Sequence, residues 1–264
     1  MKKYIKTLTS PLYGSAEESK QIIELLWGDH VKVLSATKKN GRYKAKARGV
    51  TGYVNADDLG DESLLEIYFI DVGQGDGILI RTPDHKHLLI DGGYKRASKP
   101  SGKSAADFVD WKFFKDYGLK KITIDDMIAS HCDADHYGGL WDLVNPKETH
   151  ELNTTSLVVK RFYHAGVSWW SDKTGAKPKR TNGPIKNGFL TRLLEDETDA
   201  SASLADSKLV LQGEWADFIK CLVDLNVPMK RLSCKPTEGI RTLPRYNGKV
   251  KISVLGPIEF EHNQ

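Results

Sequence analysis

The stretch Ser130-His131-Cys132-Asp133-Ala134-Asp135-His136-Tyr137-Gly138-Gly139-Leu140 decides how the rest of the chain is read. Its core, His131 to His136, packs two imidazoles and two carboxylates together, side-chain types that bind divalent metal. Ahead of it, residues 120–129 carry Ile122, Ile124, Met127 and Ile128, the pattern of a strand entering a core. After it, Gly138-Gly139 and the apolar Leu140, Trp141, Leu143 and Val144 read as the start of a helix. A strand ending in a loop that opens a helix is where α/β folds gather ligands, at the carboxyl edge of the sheet. In such a loop His131 and Asp133 point one way and Asp135 and His136 another, giving ligand pairs for two adjacent ions. Cys132, between them, is expected to point away and not to ligate. A single His or Asp is more often a surface or capping residue, and Asp135 alone also reads as a helix N-cap. Four such residues in a row of six, followed by a glycine pair, favour metal.

The motif HCDADHYGG resembles the HxHxDH signature of metallo-β-lactamase-fold hydrolases, with Asp133 in place of the second His. This HxDxDH form, preceded by Ser130 and followed by Gly138-Gly139, is similar to the hydrolase domain of ComEC-type competence proteins. Upstream, residues 69–76 (FIDVGQGD) resemble that branch's FxDVGQGD motif, and residues 89–93 (LIDGG) its LIDGG motif. The resemblance covers residue 65 to the C-terminus. It implies an αββα sandwich, two divalent ions sharing a hydroxide, and phosphodiesterase or nuclease activity. His131 and Asp133 would then bind one ion and Asp135 and His136 the other. Zinc is the first expectation, and the extra oxygen ligand at Asp133 makes manganese competitive. Asp135 is expected to orient the nucleophile. The bend holding Asp71, Gln74 and Asp76, together with Asp91, would border the cleft as supporting residues. Gln74 and Asp76 read equally well as turn stabilisers.

Bulk properties narrow the class. At 264 residues and 39% hydrophobic the chain can bury one large core or two smaller ones. Its +4 formal charge is a mild basic bias, compatible with a polyanionic substrate without arguing for one. Three cysteines, Cys132, Cys221 and Cys234, lack CxxC spacing and form no disulfide framework. The N-terminus has no apolar stretch of signal-peptide type, and no window approaches the ~18 apolar residues of a spanning helix. These features predict a cytoplasmic protein.

Residues 1–60 read as a separate unit of short, turn-punctuated strands, with Asn40-Gly41 as a hairpin signal. Residues 21–27 (QIIELLW) fit either a short helix or another strand. The pattern LYGS, WGDHVKVL, NGRYKAKARGVTGYVNADDL resembles a bacterial SH3-like domain, which implies a small barrel and a protein or peptide partner. Residues 60–63 form a short polar junction, and residues 64–264 form the hydrolase unit.

Within that unit, residues 65–70, 77–81 and 87–90 read as antiparallel strands and residues 104–119 as a helix with a broad apolar face. Residues 156–163 read as one strand, with His164 at its end as either an auxiliary cleft residue or a structural His. A loop follows Trp169-Trp170 and carries Lys173, Lys177, Lys179, Arg180 and Lys186 against one acid, Asp172. Such a run is usually a solvated face; beside two tryptophans, Lys177, Lys179 and Arg180 are also candidates for holding single-stranded nucleic acid. Residues 214–225 read as a helix and 249–255 as a strand. The LTGD and HHGS motifs of the ComEC-like branch are not found, so the hydrolase domain is expected to be truncated at its C-terminus and its site incomplete. Two other readings stay open: hydrolysis of a small ester, lactam or phosphodiester, and an inactive interaction module recruited through the SH3-like unit.

Overall fold

Two tight turns organise the first sixty residues. Asn40 and Gly41 (φ 49° and 75°) fold Lys39 back onto Arg42, and Arg48 and Gly49 (φ 47° and 81°) fold Ala47 onto Val50. Positive φ at both central residues is what a two-residue hairpin loop requires. The computed structural model describes residues 1–235, 237 and 239–259, and only the backbone of residue 247. Residues 261–264, on which the expected early stop rests, lie outside the described residues.

Around these turns run β1 (Lys2–Ile5), β2 (Thr9–Tyr13), β3 (Gln21–Leu26), β4 (His30–Val33), β5 (Arg42–Ala47), β6 (Val50–Asn55) and β7 (Leu59–Gly60). They form one antiparallel sheet in the order β3-β2-β6-β5-β4-β1-β7, with β3 and β7 at its edges, so its ladder is not closed. Residues 21–26, readable as helix or strand, are a strand. Ile5, Leu12, Leu25, Val31, Ala45 and Val54 build a core belonging to this sheet alone.

The remaining elements follow in chain order: β8 (Glu66–Phe69), β9 (Ile78–Arg81), β10 (His87–Ile90), α1 (Ala105–Trp111), β11 (Lys121–Ile124), β12 (Asp126–Ala129) and α2 (Ala134–Val144). Next come β13 (Ser156–Val159), β14 (Phe162–His164), β15 (Trp170–Asp172), β16 (Lys179–Thr181), β17 (Ile185–Lys186), β18 (Phe189–Leu190) and α3 (Glu197–Ala205). The last are β19 (Leu209–Leu211), α4 (Gly213–Asp224), β20 (Met229–Arg231), β21 (Arg241–Asn247) and β22 (Lys251–Val254). A six-stranded mixed sheet, β20-β14-β12-β10-β9-β8, is the backbone of this part. Strands β10, β12, β14 and β20 are parallel, whereas β8, β9 and β10 are antiparallel. One face packs Leu79, Leu89, Met127, Ala129 and Phe162 against α1, α2 and α4. On the other face Leu88 and Tyr163 meet Leu243, Tyr246 and Val254 of the β21–β22 hairpin.

Four elements differ from their sequence reading. The strand expected at 120–129 breaks into β11 and β12, and that at 156–163 into β13 and β14, with the halves in different sheets. Asp125 sits buried at the break, where its carboxylate accepts from the His87 backbone N–H (2.8 Å) and Lys160 Nζ (2.6 Å). The helix expected at 104–119 widens into a π-helical segment, Lys112–Asp116, after α1. Helix α2 begins inside the metal-type cluster, before Gly138, because Asp133 is extended (φ −90°, ψ 147°) and its carbonyl accepts from the N–H of His136 (3.0 Å).

Candidate metal centre

The cluster lies where the parallel strands end. Strand β10 delivers Asp91, β12 delivers Ser130 and His131, β14 ends at His164, and the 70–77 bend between β8 and β9 closes over the same edge. Glycines make this approach possible. A Cβ on Gly75 (φ 87°) would lie 1.7 Å from the carbonyl oxygen of Asp135, one on Gly138 2.3 Å from the Lys95 nitrogen, and one on Gly139 2.2 Å from the Gly92 oxygen. The two glycine pairs interlock through hydrogen bonds from Gly92 N–H to the His136 carbonyl (2.7 Å) and from Gly139 N–H to the Gly93 carbonyl (3.0 Å). Gly93 N–H donates to the Asp76 carbonyl (2.9 Å), tying in the bend.

On this frame His131, Asp135 and His136 bring one ligand atom each to within 4.8 Å of one another, and the rings of His131 and His136 lie 3.7 Å apart. A second group, Asp76, Asp91 and His136, meets the same criterion and shares His136. Asp133 belongs to neither group. One of its oxygens lies 3.6 Å from His131 Nε2, and the other accepts from Trp169 Nε1 at 3.2 Å. His131 is thus grouped with Asp135 and His136, while Asp133 approaches it from the side.

Asp91 is the buried anchor. Its carboxylate accepts from the Ser130 N–H (2.7 Å) and the Ser130 hydroxyl (2.6 Å), and lies 2.9 Å from His136 Nδ1. An ionised carboxylate only accepts, so His136 Nδ1 carries the proton and Nε2 presents its lone pair outward, the tautomer a metal ligand needs. Asp91 holds a left-handed backbone (φ 54°), a conformation that surrounding contacts must enforce in a non-glycine residue. Gln74 Nε2 donates to one oxygen of Asp135 (3.2 Å), and the other lies 3.9 Å from His136 Nε2. Asp71 accepts from the Gly73 N–H (3.1 Å) and so shapes the bend.

His164 stands apart from both groups. It is buried, its Nδ1 accepts from the Gly166 N–H (3.1 Å), and its Nε2 has no partner among the described residues. Burial, with Arg231 adding to it, pushes its pKa down to about 4, so the ring is neutral. Cys132 is buried and its thiol is pushed up to about 12, chiefly by burial and then by Asp133, which leaves it protonated and unsuited to ligation. Of the basic loop, Arg180 stacks on the Trp169 ring at 3.8 Å, Lys179 sits in β16 opposite Asp172, and Lys177 lies exposed in the turn before it. The sequence carried no signal that Trp169 would reach Asp133. Ser130, the shared donor beneath the ligands, was visible only as a neighbour of the cluster.

The donor set fits a divalent ion: two imidazoles and a carboxylate converge, one imidazole is fixed in tautomer by a buried acid, and the thiol between them is turned away. Among the described residues no helix is long and apolar enough to cross a membrane. No curated protein matches the chain. The model of the metallo-beta-lactamase superfamily matches residues 70–201, half of the chain, and that span runs from the 70–77 bend through Asp91 and the ligand cluster to the basic loop. This chain belongs to the metallo-beta-lactamase superfamily, a superfamily of metal-dependent hydrolases.

Proposed function

We propose that the chain hydrolyses phosphodiesters, with single-stranded nucleic acid as the substrate class. The observation that carries this reading is the Arg180–Trp169 stack, joined to the cluster by the Trp169–Asp133 hydrogen bond. An aromatic face with a guanidinium on it suits a base and its phosphate, and offers little to a small neutral ester or lactam. His131, Asp135 and His136 would hold a divalent ion, zinc first and manganese as the alternative, with Asp133 beside His131 as the carboxylate for a second ion. When bound, such an ion supplies Lewis acidity, lowering the pKa of water and offsetting charge that develops on the substrate. The chain's own groups do the positioning. Asp91 keeps His136 in its ligating tautomer, and Gln74 holds one Asp135 oxygen so that the other can orient the attacking water. Arg180 holds the phosphate chain against Trp169.

The ComEC-like branch, the αββα arrangement and a cytoplasmic location belong to the same proposal. Residues 1–60 are read as an SH3-like module that recruits a protein or peptide partner, with residues 64–264 as the hydrolase unit. A separate apolar core and exposed Leu8, Leu26 and Trp27 support this assignment.

The test is cleavage of a labelled single-stranded oligonucleotide, with bis-p-nitrophenyl phosphate, p-nitrophenyl acetate and a chromogenic lactam alongside, in zinc or manganese. We expect oligonucleotide cleavage that Arg180→Ala slows by roughly tenfold, the scale of one lost stacked, charged contact. The same variant should leave bis-p-nitrophenyl phosphate turnover unchanged. Turnover of ester or lactam without phosphodiester cleavage would reassign the substrate. Metal binding without any turnover would leave an interaction module.

A further inference from the structure

Where the N-terminal sheet meets the start of the second part, a cavity of about 430 Å³ opens away from the ligand cluster. Five of its lining side chains are cations, Lys2, Arg81, Lys86, Lys121 and Lys160, against two carboxylates, Asp84 and Asp125. Arg81 is compensated by Glu66, Lys86 by Asp84 and Lys160 by Asp125. Lys2 on β1 and Lys121 on β11 make no ion pair among the described residues, so two unneutralised charges face one cavity from two parts of the molecule.

His30 and His87 line the same space. Each is only 7% exposed, and neither ring makes a hydrogen bond among the described residues; His30 Nδ1 and His87 Nε2 are fully buried and unpartnered. Those two nitrogens are out of reach of a molecule in the cavity, which leaves His30 Nε2 and His87 Nδ1, each without a hydrogen bond among the described residues, to meet a ligand there. That ligand is not a metal ion, since the groups close enough to share one include neither His30 nor His87 among the described residues. Burial first, and then Arg81, hold both rings near pKa 4. At neutral pH each is therefore an uncharged N–H donor in a positive field.

We propose that this cavity binds a small phosphate-bearing anion, held by Lys2 and His30 from the N-terminal sheet and by Lys121 and His87 from the second part. Its volume lies within the range of small-ligand sites. Because the donors come from both sides, an occupied site fastens the two parts together and stabilises the fold by mass action. The inference does not depend on what the cleft hydrolyses.

Isothermal titration of the metal-free full chain with orthophosphate, and separately with glycerol 2-phosphate, tests it. We expect one saturable site with a Kd on the order of 1 mM or tighter, weakened at least about tenfold by Lys2→Glu/Lys121→Glu. Lys121→Ala alone, at an exposed position that leaves the fold in place, should weaken it in the same direction. A His131→Ala/Asp135→Ala chain should bind as the parent does, which separates this site from the ligand cluster. Tighter binding of the ester assigns a phosphomonoester, and tighter binding of orthophosphate assigns the free ion. No saturable binding of either anion would overturn the proposal. So would binding that survives the charge reversal or disappears in the cluster variant.

Discussion

Two pairs of histidines in this chain experience opposite surroundings. His131 and His136 sit at the mouth of the cleft, where Ser130 and Asp91 satisfy their inner nitrogens and their outer ones face the carboxylates of Asp133 (3.6 Å) and Asp135 (3.9 Å). His30 and His87 sit under the seam, 7% exposed and with no hydrogen-bond partner to either ring among the described residues. Imidazole placed over a buried carboxylate becomes a directed ligand; imidazole buried beside a guanidinium becomes a neutral group that pH can break. The seam mixes the rings of Phe113 and Tyr117 with a polar network. Arg81 pairs with Glu66 and donates to Tyr4 Oη (3.2 Å) and to His85 Nδ1 (2.7 Å), while Tyr117 Oη donates to Glu66 (3.3 Å).

The largest expected effect follows from that contrast. Burial and Arg81 lower the seam histidines to about 4 from an ordinary 6.5, so the fold favours the neutral ring. Their contribution to stability is complete above about pH 6.5 and is lost as pH falls from there toward 4, by up to roughly 3 kcal/mol per ring. Urea melts across that window should show a falling midpoint for the parent chain, and a shallower fall for His87→Phe. Equal slopes in the two proteins would place the acid sensitivity elsewhere.

A smaller effect tests the other half of the comparison. Asp91→Asn keeps the shape but removes the charge that selects the His136 tautomer, and an orienting partner of this kind is worth about 10–100-fold in metal affinity. Competition against a chromophoric chelator should show zinc binding weakened by that factor, with the urea midpoint at pH 7 changing much less. Unaltered affinity would mean that the buried carboxylate supports the backbone turn alone.

The cluster was readable because its metal-type residues, His131 to His136, are contiguous, and the glycine pairs at 92–93 and 138–139 mark where backbones must touch. Which ligands converge was not readable. Helix α2 starts at Ala134 instead of near Gly138, which puts Asp135 and His136 in its first turn, and His131 groups with these two. The breaks at Asp125 and after Val159 were hidden because both halves of each segment keep an apolar pattern, and the interruption is set by contacts to His87 and Lys160. The seam was hidden for the same reason, its residues being drawn from positions as far apart as Lys2 and Lys160.

Asp91 and Asp126 extend the comparison to carboxylates. Both are buried at the same sheet, yet Asp91 is met closely by Ser130 and His136, while Asp126 faces the Tyr246 hydroxyl and an Arg245 Nε that stays 3.7 Å away. Burial, only partly offset by Arg245, raises the Asp126 pKa to about 6. The stability associated with its protonated form is complete below the ordinary value of 3.8 and is lost as pH rises through about 6, so at pH 7 the charge weakens the fold. Asp126→Asn removes the charge and keeps the volume. It should raise the unfolding free energy at pH 7 by about 1 kcal/mol, less than the whole shift because the amide gives up the attraction to Arg245 and stays buried. At pH 4 the two proteins should be alike. A loss of stability at pH 7 would mean that Arg245 and Asp126 form a working ion pair under the β21–β22 hairpin, and that this buried acid is held as firmly as Asp91.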